Sequence, residues 1–391
     1  MIIEELNIMK MLYITSLSGK RINGFMRSAI IAARNLNIDF TMACNMDMAE
    51  KDGYDKDCKE YGINTVHIDF DRNPLGTSNK KAYKQLLALM EKENFDLVHC
   101  NTPIGGVLGR ICARKAKIPY VIYMAHGFHF WKGAPIKNWL FYYPVEHFLS
   151  RWTDVLITIN KEDYARAQKF KAKKVCYVPG VGIDLNNFNN TKEPRASMRK
   201  SLAIAEDDFV LLSVGELNTN KNHELVLRAL ADMKENVKKQ KIRYLICGRG
   251  ERETRLKNLV KELGIEDYVH FLGYRADIAD ICNCSDLFVF MSLREGLPGA
   301  LMEAMACGLP IICSNIRGNR DLIENEVNGS LVDIDEGKLR EEICRLIADA
   351  GTREKYAIAA KESVRRFDME RVLELMMKIY TEWGALTPNV L

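Results

Sequence analysis

The sequence lacks the features that mark several common protein classes. It has no Cys-x-x-Cys motif, and its eleven cysteines are scattered singly, the closest pair being Cys282 and Cys284. This pattern excludes a disulfide framework and a paired zinc site, and it favours reduced thiols in a cytoplasm. There is no internal repeat or low-complexity tract. No apolar run approaches the ~20 residues of a spanning helix, and no signal peptide is apparent, so we expect a cytoplasmic protein that does not cross a membrane.

The length of the chain indicates the number of domains, and its charge distribution indicates the kind of partner. A chain of 391 residues is too long for one typical core, so two domains are expected. The net charge is only +4, but residues 1–190 hold 26 basic against 19 acidic residues, whereas residues 191–391 hold 30 against 33. This asymmetry indicates that the first half meets an anionic surface or substrate, although a solvated basic face explains it equally well.

Short apolar runs alternate with amphipathic segments along the whole chain. Such alternation is typical of parallel α/β sheets. The thirteen runs predict strands at 11–15, 40–44, 65–68, 97–100, 120–123, 155–159, 175–178, 209–214, 244–247, 269–272, 287–290, 311–313 and 330–332. They divide into two sets, which predicts two Rossmann-like domains. We expect a first domain at 1–185, a linker beginning at 186, a second domain at 186–366, and a terminal helix within 367–391 that packs back on the first domain.

The most informative stretch runs from Glu295 to Pro310. A Gly/Pro turn opens a helix there, with Glu295 before the turn and Glu303 inside the helix. Backbone N–H groups at a helix start are unpaired and the helix dipole favours negative charge, so this turn predicts a phosphate site. The residues that would form it are Gly296, Leu297, Pro298, Gly299, Ala300 and Leu301. Glu303 lies where a carboxylate can reach a ribose hydroxyl.

This stretch resembles the Glu-x7-Glu signature of the family 4 retaining glycosyltransferases. The surrounding Glu-Gly-x-Pro-x-x-x-x-Glu-Ala-Met-Ala-x-Gly-x-Pro is more specific than the two acids alone. The resemblance implies the GT-B fold, in which two Rossmann-like domains face each other across a cleft. It also implies that Glu295 orients the donor sugar and that Glu303 holds the ribose. An ordinary amphipathic helix after a loop is the alternative.

A second motif, Gly215 to His223, follows the first strand of the second half. The turn between a strand and a helix is where α/β folds bind ligands. Lys221 can place a positive charge on the donor diphosphate and stabilise the leaving nucleotide. Similar enzymes carry an arginine directly after the glycine, where this chain has Glu216. Arg249 is a candidate replacement for that missing cation, or else a solvent-exposed arginine.

The pair Gly248 and Gly250 admits a different interpretation. It could be taken for a dinucleotide fingerprint, but the third glycine and the acidic residue are missing, so NAD binding is disfavoured. The nearby Tyr274 and Arg275 match the region that lines the nucleotide base in similar enzymes. A plain strand end is the alternative for these two residues.

In the first half, His126 follows a predicted strand within His-Gly-Phe-His-Phe. Most isolated histidines are structural, but this position resembles the His-Gly element whose histidine contacts the reacting sugar. The wider pattern around it resembles the subgroup that builds capsule and exopolysaccharide repeat units.

The glycine-containing loop after the first strand, with Gly19, Asn23 and Gly24, resembles the loop beside the diphosphate and the acceptor. Asn101 ends another strand and is expected on the acceptor side.

Together these features predict a retaining glycosyltransferase of the hexosyltransferase type (EC 2.4). The expected partners are a nucleotide-sugar donor, with UDP-sugar as the default, and a glycan or polyprenyl-phosphate-linked acceptor of bacterial surface polysaccharide. Neither a cofactor nor a metal ion is expected, and nucleic acid is not an expected partner. A GT-B nucleotide-sugar epimerase and a non-catalytic partner subunit are the alternatives. Acceptor-dependent UDP release argues against the first, and detectable transfer excludes the second.

The basic first half also suggests docking on the inner face of the cell membrane. Aromatic rings suit the headgroup region, and lysine and arginine are attracted to anionic lipid. The candidate residues are Lys20, Arg21, Lys132, Lys137, Phe128, Phe130, Trp131, Trp139 and Phe141. The alternative is that these aromatics belong to the core.

Overall fold

The computed structural model describes residues 8–22, 24–74, 76–189, 191–233 and 241–383. Two compact units divide the chain: one comprises residues 1–182 and 369–391, and the other comprises residues 183–368. Each unit is an α/β body with its own parallel sheet. None of the helices in the described part of the chain has the length and hydropathy needed to span a bilayer.

The first unit contains a seven-stranded parallel sheet in the order β3-β2-β1-β4-β5-β6-β7. Its strands are β1 (Lys10–Leu17), β2 (Asp39–Asn45), β3 (Asn64–His67), β4 (Leu97–Asn101), β5 (Tyr120–Ala125), β6 (Val155–Thr158) and β7 (Lys174–Tyr177). Its helices are α1 (Gly24–Asn35), α2 (Lys51–Tyr61), α3 (Ser78–Glu93), α4 (Pro103–Ala116), α5 (Ile136–Leu149) and α6 (Lys161–Ala167). The central strands read as continuous apolar runs because helices cover both faces of the sheet.

The second unit contains a six-stranded parallel sheet in the order β10-β9-β8-β11-β12-β13. Its strands are β8 (Phe209–Val214), β9 (Ile242–Cys247), β10 (Val269–Gly273), β11 (Leu287–Phe290), β12 (Ile311–Ser314) and β13 (Ser330–Val332). The helices are α7 (Asn186–Asn189), α8 (Arg195–Ser201), α9 (His223–Asp232), α10 (Glu253–Leu263), α11 (Ile278–Cys284), α12 (Gly299–Ala306), α13 (Asn319–Leu322), α14 (Glu336–Ala348) and α15 (Ala350–Ser363).

Strand β11 shows how the second sheet is buried on both faces. Phe288 and Phe290 pack into one hydrophobic cluster, whereas Leu287 and Val289 pack into the other. Successive side chains of a strand point to opposite faces, so a strand that is apolar at every position needs cover on both sides. The apolar runs therefore predicted the strands well, and the prediction of two parallel-sheet α/β domains is confirmed.

The last helix, α16 (Met369–Trp383), belongs to the first unit. The hydroxyl of its Tyr380 lies 2.8 Å from Nδ1 of His99 on β4, and both side chains are fully buried. The predicted terminal segment extends to residue 391, and its part from 384 onward lies outside the described residues.

The stretch 186–199, which was expected to be a linker, holds α7 and the start of α8. Arg199 on α8 is 2% exposed. Its guanidinium donates to the carbonyl of Cys284 at 3.0 Å and to the carboxylate of Asp286 at 2.8 Å. The expectation of a linker missed this arginine, whose carboxylate partner, Asp286, lies 87 positions away in sequence.

Candidate active site

In the second unit, the sheet changes its winding direction between β8 and β11. Strands β9 and β10 lie on one side of β8, whereas β11 to β13 lie on the other. Open α/β sheets bind ligands at the carboxyl ends of the strands next to such a switch point. The two loops at this place are 215–222, which follows β8, and 291–298, which follows β11. They carry Lys221 and Glu295.

Lys221 and Glu295 form an ion pair at this switch point. Lys221 Nζ donates to Oε1 of Glu295 at 2.7 Å, and the side chains are only 19% and 12% exposed. The same ammonium lies 4.7 Å from the ring centroid of Phe290. An ammonium has three donors, so pairing with one carboxylate leaves it able to meet another anion.

Two asparagines fix the turn that carries Lys221. Oδ1 of Asn218 accepts from the backbone N–H of Lys221 at 3.0 Å. Nδ2 of Asn220 donates to the carbonyl of Arg294 at 2.9 Å, and the carbonyl of Asn220 accepts from Leu293 N–H at 2.8 Å. These bonds join the two loops. Neither asparagine was predicted from the sequence, although the run Asn-Thr-Asn-Lys-Asn is typical of side-chain-stabilised turns.

Helix α12 begins at Gly299, directly after this pair. Pro298 occupies the cap position, and no side chain caps the first turn. The predicted phosphate-binding residues, Gly296 to Leu301, therefore span the loop and the first turn of this helix. A side chain at Gly299 would meet open space, whereas a side chain at Gly318 would come within 2.6 Å of the carbonyl of Gly296. The loop that carries Arg317 and Gly318 thus packs against the backbone of the turn. The buried Arg317 donates from Nε to the carbonyl of Glu295 at 3.3 Å.

Glu303 is partly buried on the same helix, one turn beyond Gly299. Burial raises the pKa of this carboxyl above its usual range. A carboxylate that has lost part of its hydration gains from a ligand that donates hydrogen bonds, such as a ribose diol.

The glycines of the suspected dinucleotide fingerprint have a packing role. A side chain on Gly248 would lie 1.9 Å from the carbonyl of Gly215, and a side chain on Gly250 would lie 2.4 Å from the carbonyl of Leu217. Both glycines therefore allow the ends of β8 and β9 to approach closely. Gly215 itself donates its N–H to the carbonyl of Cys247 at 2.9 Å.

The remaining predicted donor residues lie on neighbouring loops. Arg249 is exposed, and Tyr274 is 72% exposed. Arg275 is held by Asp277 through two bonds of 2.8 and 2.5 Å, so its charge is already neutralised. Glu216 is exposed and accepts from Asn218 Nδ2 at 2.9 Å.

In the first unit, the corresponding switch point lies between β1 and β4. Ser16, near the end of β1, and Thr102, just after β4, have hydroxyl oxygens 2.6 Å apart. Asn101 at the end of β4 is fully buried, and its Oδ1 lies 3.0 Å from Nε2 of His126, which follows β5. In this arrangement Nε2 carries the proton and Nδ1 remains an acceptor. The structure thus brings together two predicted site residues.

His126 is held as a neutral imidazole. Burial lowers its pKa to about 3. The ring of Phe25 on α1 lies 3.9 Å away, centroid to centroid. The neighbouring His99 is also buried, which lowers its pKa to about 3. No charged side chain bonds to His126 among the residues that the structure describes.

The loop after β1 carries the other predicted residues of the first unit. Gly19 has φ of 75°, and Gly24 opens α1. Asn23 lies outside the described residues. Lys20 pairs with Glu50 at 2.7 Å, and Arg21 Nε donates to Asp57 at 2.7 Å. These two cations were expected to meet a lipid phosphate, but both already have carboxylate partners.

Within the described ranges, no group of three or more histidine, cysteine or acidic side chains is placed to hold a metal ion. Two aspartates separated by one residue can also bind a metal ion, and such Asp-x-Asp pairs are present at 55/57, 69/71 and 333/335. In each of these pairs one carboxylate is engaged by the protein itself. Asp57 bonds to Arg21, Asp69 bonds to Lys81, and Asp333 bonds to Lys338.

Comparison with known proteins identifies the family. The family described as glycosyl transferases group 1 matches residues 194–363, and the family described as glycosyl transferase 4-like matches residues 16–160. A protein of Bacillus subtilis (strain 168) with the name "Putative glycosyltransferase EpsD" is 37% identical over 327 residues, which are 80% of this chain and 83% of EpsD. The chain belongs to glycosyltransferase family 4. It is an enzyme of the hexosyltransferase type.

Two further proteins resemble this glycosyltransferase. The UDP-Gal:alpha-D-GlcNAc-diphosphoundecaprenol alpha-1,3-galactosyltransferase of Escherichia coli is 33% identical over 293 residues, covering 71% of this chain and 76% of that protein. The crystal structure of HepE from Anabaena matches with a TM-score of 0.77 at 21% identity, covering 96% of this chain and all of HepE. The structural likeness supports the GT-B fold.

Proposed function

We propose that this glycosyltransferase moves a sugar from a UDP-sugar to a polyprenyl-diphosphate-linked acceptor, with retention of configuration, in bacterial surface polysaccharide synthesis. The observation that carries the proposal is the pair of Lys221 and Glu295 at the switch point of the second unit. The name of the E. coli relative supports the substrate classes, since it contains a UDP-sugar and a diphosphoundecaprenol acceptor. The galactose of UDP-galactose is α-linked, and the name of the E. coli relative gives an α-1,3-linked product. That relative therefore retains the configuration.

The second unit holds the donor in this proposal. The β-phosphate is bound by the free N–H groups at the start of α12 and by the ammonium of Lys221. The helix dipole and the preformed cation both favour the negative charge that grows on the leaving diphosphate. No metal ion is required. Glu303 accepts hydrogen bonds from the ribose, and Glu295 accepts from sugar hydroxyls while it holds Lys221.

His126 contacts the transferred sugar in this proposal. A neutral imidazole whose Nε2 is bonded to Asn101 has Nδ1 left to accept from a sugar hydroxyl. Because burial keeps the pKa of His126 at about 3, the ring does not bring a positive charge to the site at neutral pH. The ring can therefore accept from a sugar hydroxyl without attracting phosphate.

The first test finds the donor. A ligand that binds only the native state at 100 times its dissociation constant stabilises the protein by roughly 2.7 kcal/mol. A thermal-shift panel of UDP-sugars and other nucleotide sugars, with EDTA present, should therefore single out one UDP-sugar. A preference for a non-UDP donor would overturn the nucleotide assignment.

The second test finds the reaction. The selected donor is incubated with a GlcNAc-diphosphate lipid, and the anomeric proton coupling of the purified product is measured by NMR. We expect acceptor-dependent UDP release and an α-linked product. Glu295→Gln should abolish the reaction, whereas Glu341→Gln, an exposed glutamate of the same unit, should not. A β-linked product from an α-linked donor would contradict retention.

A further inference from the structure

Helix α5 turns an apolar face outward. Five of its large apolar side chains are exposed, at fractions of 78% for Ile136, 66% for Leu140, 72% for Phe141, 43% for Val145 and 45% for Phe148. With 100° between successive helix positions, these five residues fall within one half of the helix circumference. Scattered exposed apolar residues are ordinary, but a continuous apolar helix face marks an interaction surface.

The opposite side of α5 is anchored in the first unit. Glu146 accepts from the guanidinium of the buried Arg110 at 2.8 Å and from the hydroxyl of Tyr123 at 3.1 Å. Tyr143 lies 5.3 Å, between ring centroids, from the fully buried Phe130. The helix therefore cannot rotate to hide its apolar face without breaking a buried ion pair.

This anchoring also corrects part of the sequence expectation. Phe128 and Phe130 were expected near a membrane, but they are 3% and 0% exposed and belong to the core. Trp139 points to the inner side, and its ring lies 5.8 Å from that of Phe130. Of the predicted contact aromatics, Phe141 is the one with a large exposed fraction.

Within residues 131–151, the exposed charged side chains are all basic. Lys132, Lys137 and Arg151 are exposed, and Glu146, the sole acidic residue between positions 131 and 151, is 8% exposed and paired with Arg110. The guanidinium of Arg151 lies 4.4 Å from the ring centroid of Phe148, at one end of the face. Lysine and arginine beside an apolar helix face are attracted by the phosphates of anionic lipids.

A groove of about 370 Å³ lies between α5 and α6, on the anchored side of α5. It is lined by Trp139, Tyr143, Glu162, Ala165, Arg166 and Lys169. Its single carboxylate, on Glu162, pairs with Arg166 at 3.3 Å. The groove thus carries the net positive charge of Lys169.

We propose that the outer face of α5 inserts into the headgroup region of an anionic phospholipid bilayer. Leu140, Phe141 and Phe148 enter the boundary with the acyl chains, while Lys132, Lys137 and Arg151 contact lipid phosphates. The proposal deepens the proposed function and rests on it for its purpose, because a polyprenyl-linked acceptor is itself held in a membrane. Binding to lipid is measured without donor or acceptor, so the two proposals can fail separately.

The test is co-sedimentation of the full chain with vesicles of phosphatidylcholine alone or mixed with phosphatidylglycerol. We expect binding to the anionic vesicles that declines with added salt. Lys132→Glu/Lys137→Glu should lower the partition coefficient roughly 30-fold or more. The matched variant Lys200→Glu/Lys261→Glu, which reverses two exposed lysines of the second unit, should bind like the wild type.

A second pair of variants tests the apolar part. Leu140→Glu should reduce binding, whereas Ile358→Glu should not, although both positions are 66% exposed. The thermal unfolding midpoint should be unchanged in both variants, which shows that they are folded. Equal recovery with neutral and anionic vesicles would overturn the proposal. So would a wild-type dimer that Leu140→Glu dissociates, because the face would then serve a second copy of the chain.

Discussion

Both units change the winding of their sheets beside their first strand, yet the side chains at the two switch points differ in charge. The second unit places the ion pair of Lys221 and Glu295 there, whereas the first unit places the neutral pair of His126 and Asn101. The backbone topology is the same in the two places. The difference shows that the fold supplies the location and that the loop residues supply the chemistry.

The difference fits two tasks in one reaction. A diphosphate that leaves with an electron pair needs a fixed positive charge. A sugar that must only be oriented needs neutral hydrogen-bonding groups, and a positive charge near it would compete for the phosphates. Burial of His126, which lowers its pKa to about 3, keeps that side neutral.

The largest expected effect comes from breaking the charged pair. Lys221→Ala should lower turnover by about 10²-fold or more because the leaving diphosphate loses a preorganised charge. Glu295→Gln should abolish transfer while UDP binding survives, since the proposed function assigns this acid to the sugar. Turnover of both single variants and of the double variant is measured, with Lys261→Ala as an exposed control.

The two residues are in contact, so their effects should not add. Activity of the wild type should persist in EDTA. An absolute requirement for magnesium or manganese, or equal losses of UDP affinity in Lys221→Ala and Glu295→Gln, would contradict this division of roles.

The next effect concerns Glu303. Removing a carboxylate that accepts from the ribose should weaken UDP binding by roughly 10-fold or more, as expected for a hydrogen bond to a charged group. Calorimetry with Glu303→Ala should show this loss for UDP but a smaller one for a UDP analogue without ribose hydroxyls. Equal losses for both nucleotides would place Glu303 elsewhere.

The pH dependence of UDP binding tests the same residue. Burial raises the pKa of Glu303, so the carboxyl gains a proton at a higher pH than an ordinary glutamate does. The ionised form accepts ribose hydrogen bonds, and UDP affinity should therefore fall as the pH decreases through the raised value. Glu303→Gln should bind more weakly at neutral pH and lose this acid dependence.

A smaller effect is expected for His126, the neutral residue at the switch point of the first unit. Nitrogen NMR of labelled protein should find His126 uncharged down to about pH 4, because its pKa in the folded state is about 3. In the unfolded chain the same histidine has an ordinary pKa of about 6.5. Below that pH the unfolded chain binds the proton and the folded one does not, so the free energy of unfolding declines as the pH falls from about 6.5. Asn101→Asp should raise the pKa of His126 by placing a carboxylate on Nε2, and a signal that titrates near pH 6.5 in the wild type would contradict the account.

The smallest effect is expected at Glu216. Its carboxylate is exposed and bonded to Asn218 rather than to a basic side chain, so its repulsion of the donor is screened. Glu216→Arg should change donor affinity and turnover less than about threefold, in keeping with exposed charges. A large joint increase in affinity and turnover would show that Glu216 is a handicap.

Much of this architecture could be predicted from residues alone. Buried parallel strands are apolar at successive positions, so runs such as 209–214 and 287–290 coincide with β8 and β11. The carboxyl ends of parallel strands share an edge, so Lys221 and Glu295 could be placed on the same side. Their direct bond could not be predicted, because it depends on how Asn220 joins two loops that are 74 residues apart.

The contacts that could not be predicted have a similar origin. Arg275 stays a predicted donor residue, but its ion pair with Asp277, two positions on, was not predicted because either residue alone looks free in the sequence. Phe128 and Phe130 look like interface aromatics until the position of Phe170 is known, since they pack around it at 5.6 and 6.3 Å. Contacts between distant segments decide such cases, and one sequence does not contain them in a local pattern.

The most direct measurement is UDP affinity by calorimetry, in EDTA, for the wild type, Lys221→Ala, Glu303→Ala and His126→Gln. The account assigns the nucleotide to the charged switch point of the second unit and the sugar to the neutral one of the first. It predicts that Lys221→Ala and Glu303→Ala lose affinity for UDP while His126→Gln keeps it. Loss of UDP affinity in His126→Gln, with the other two variants unchanged, would contradict it.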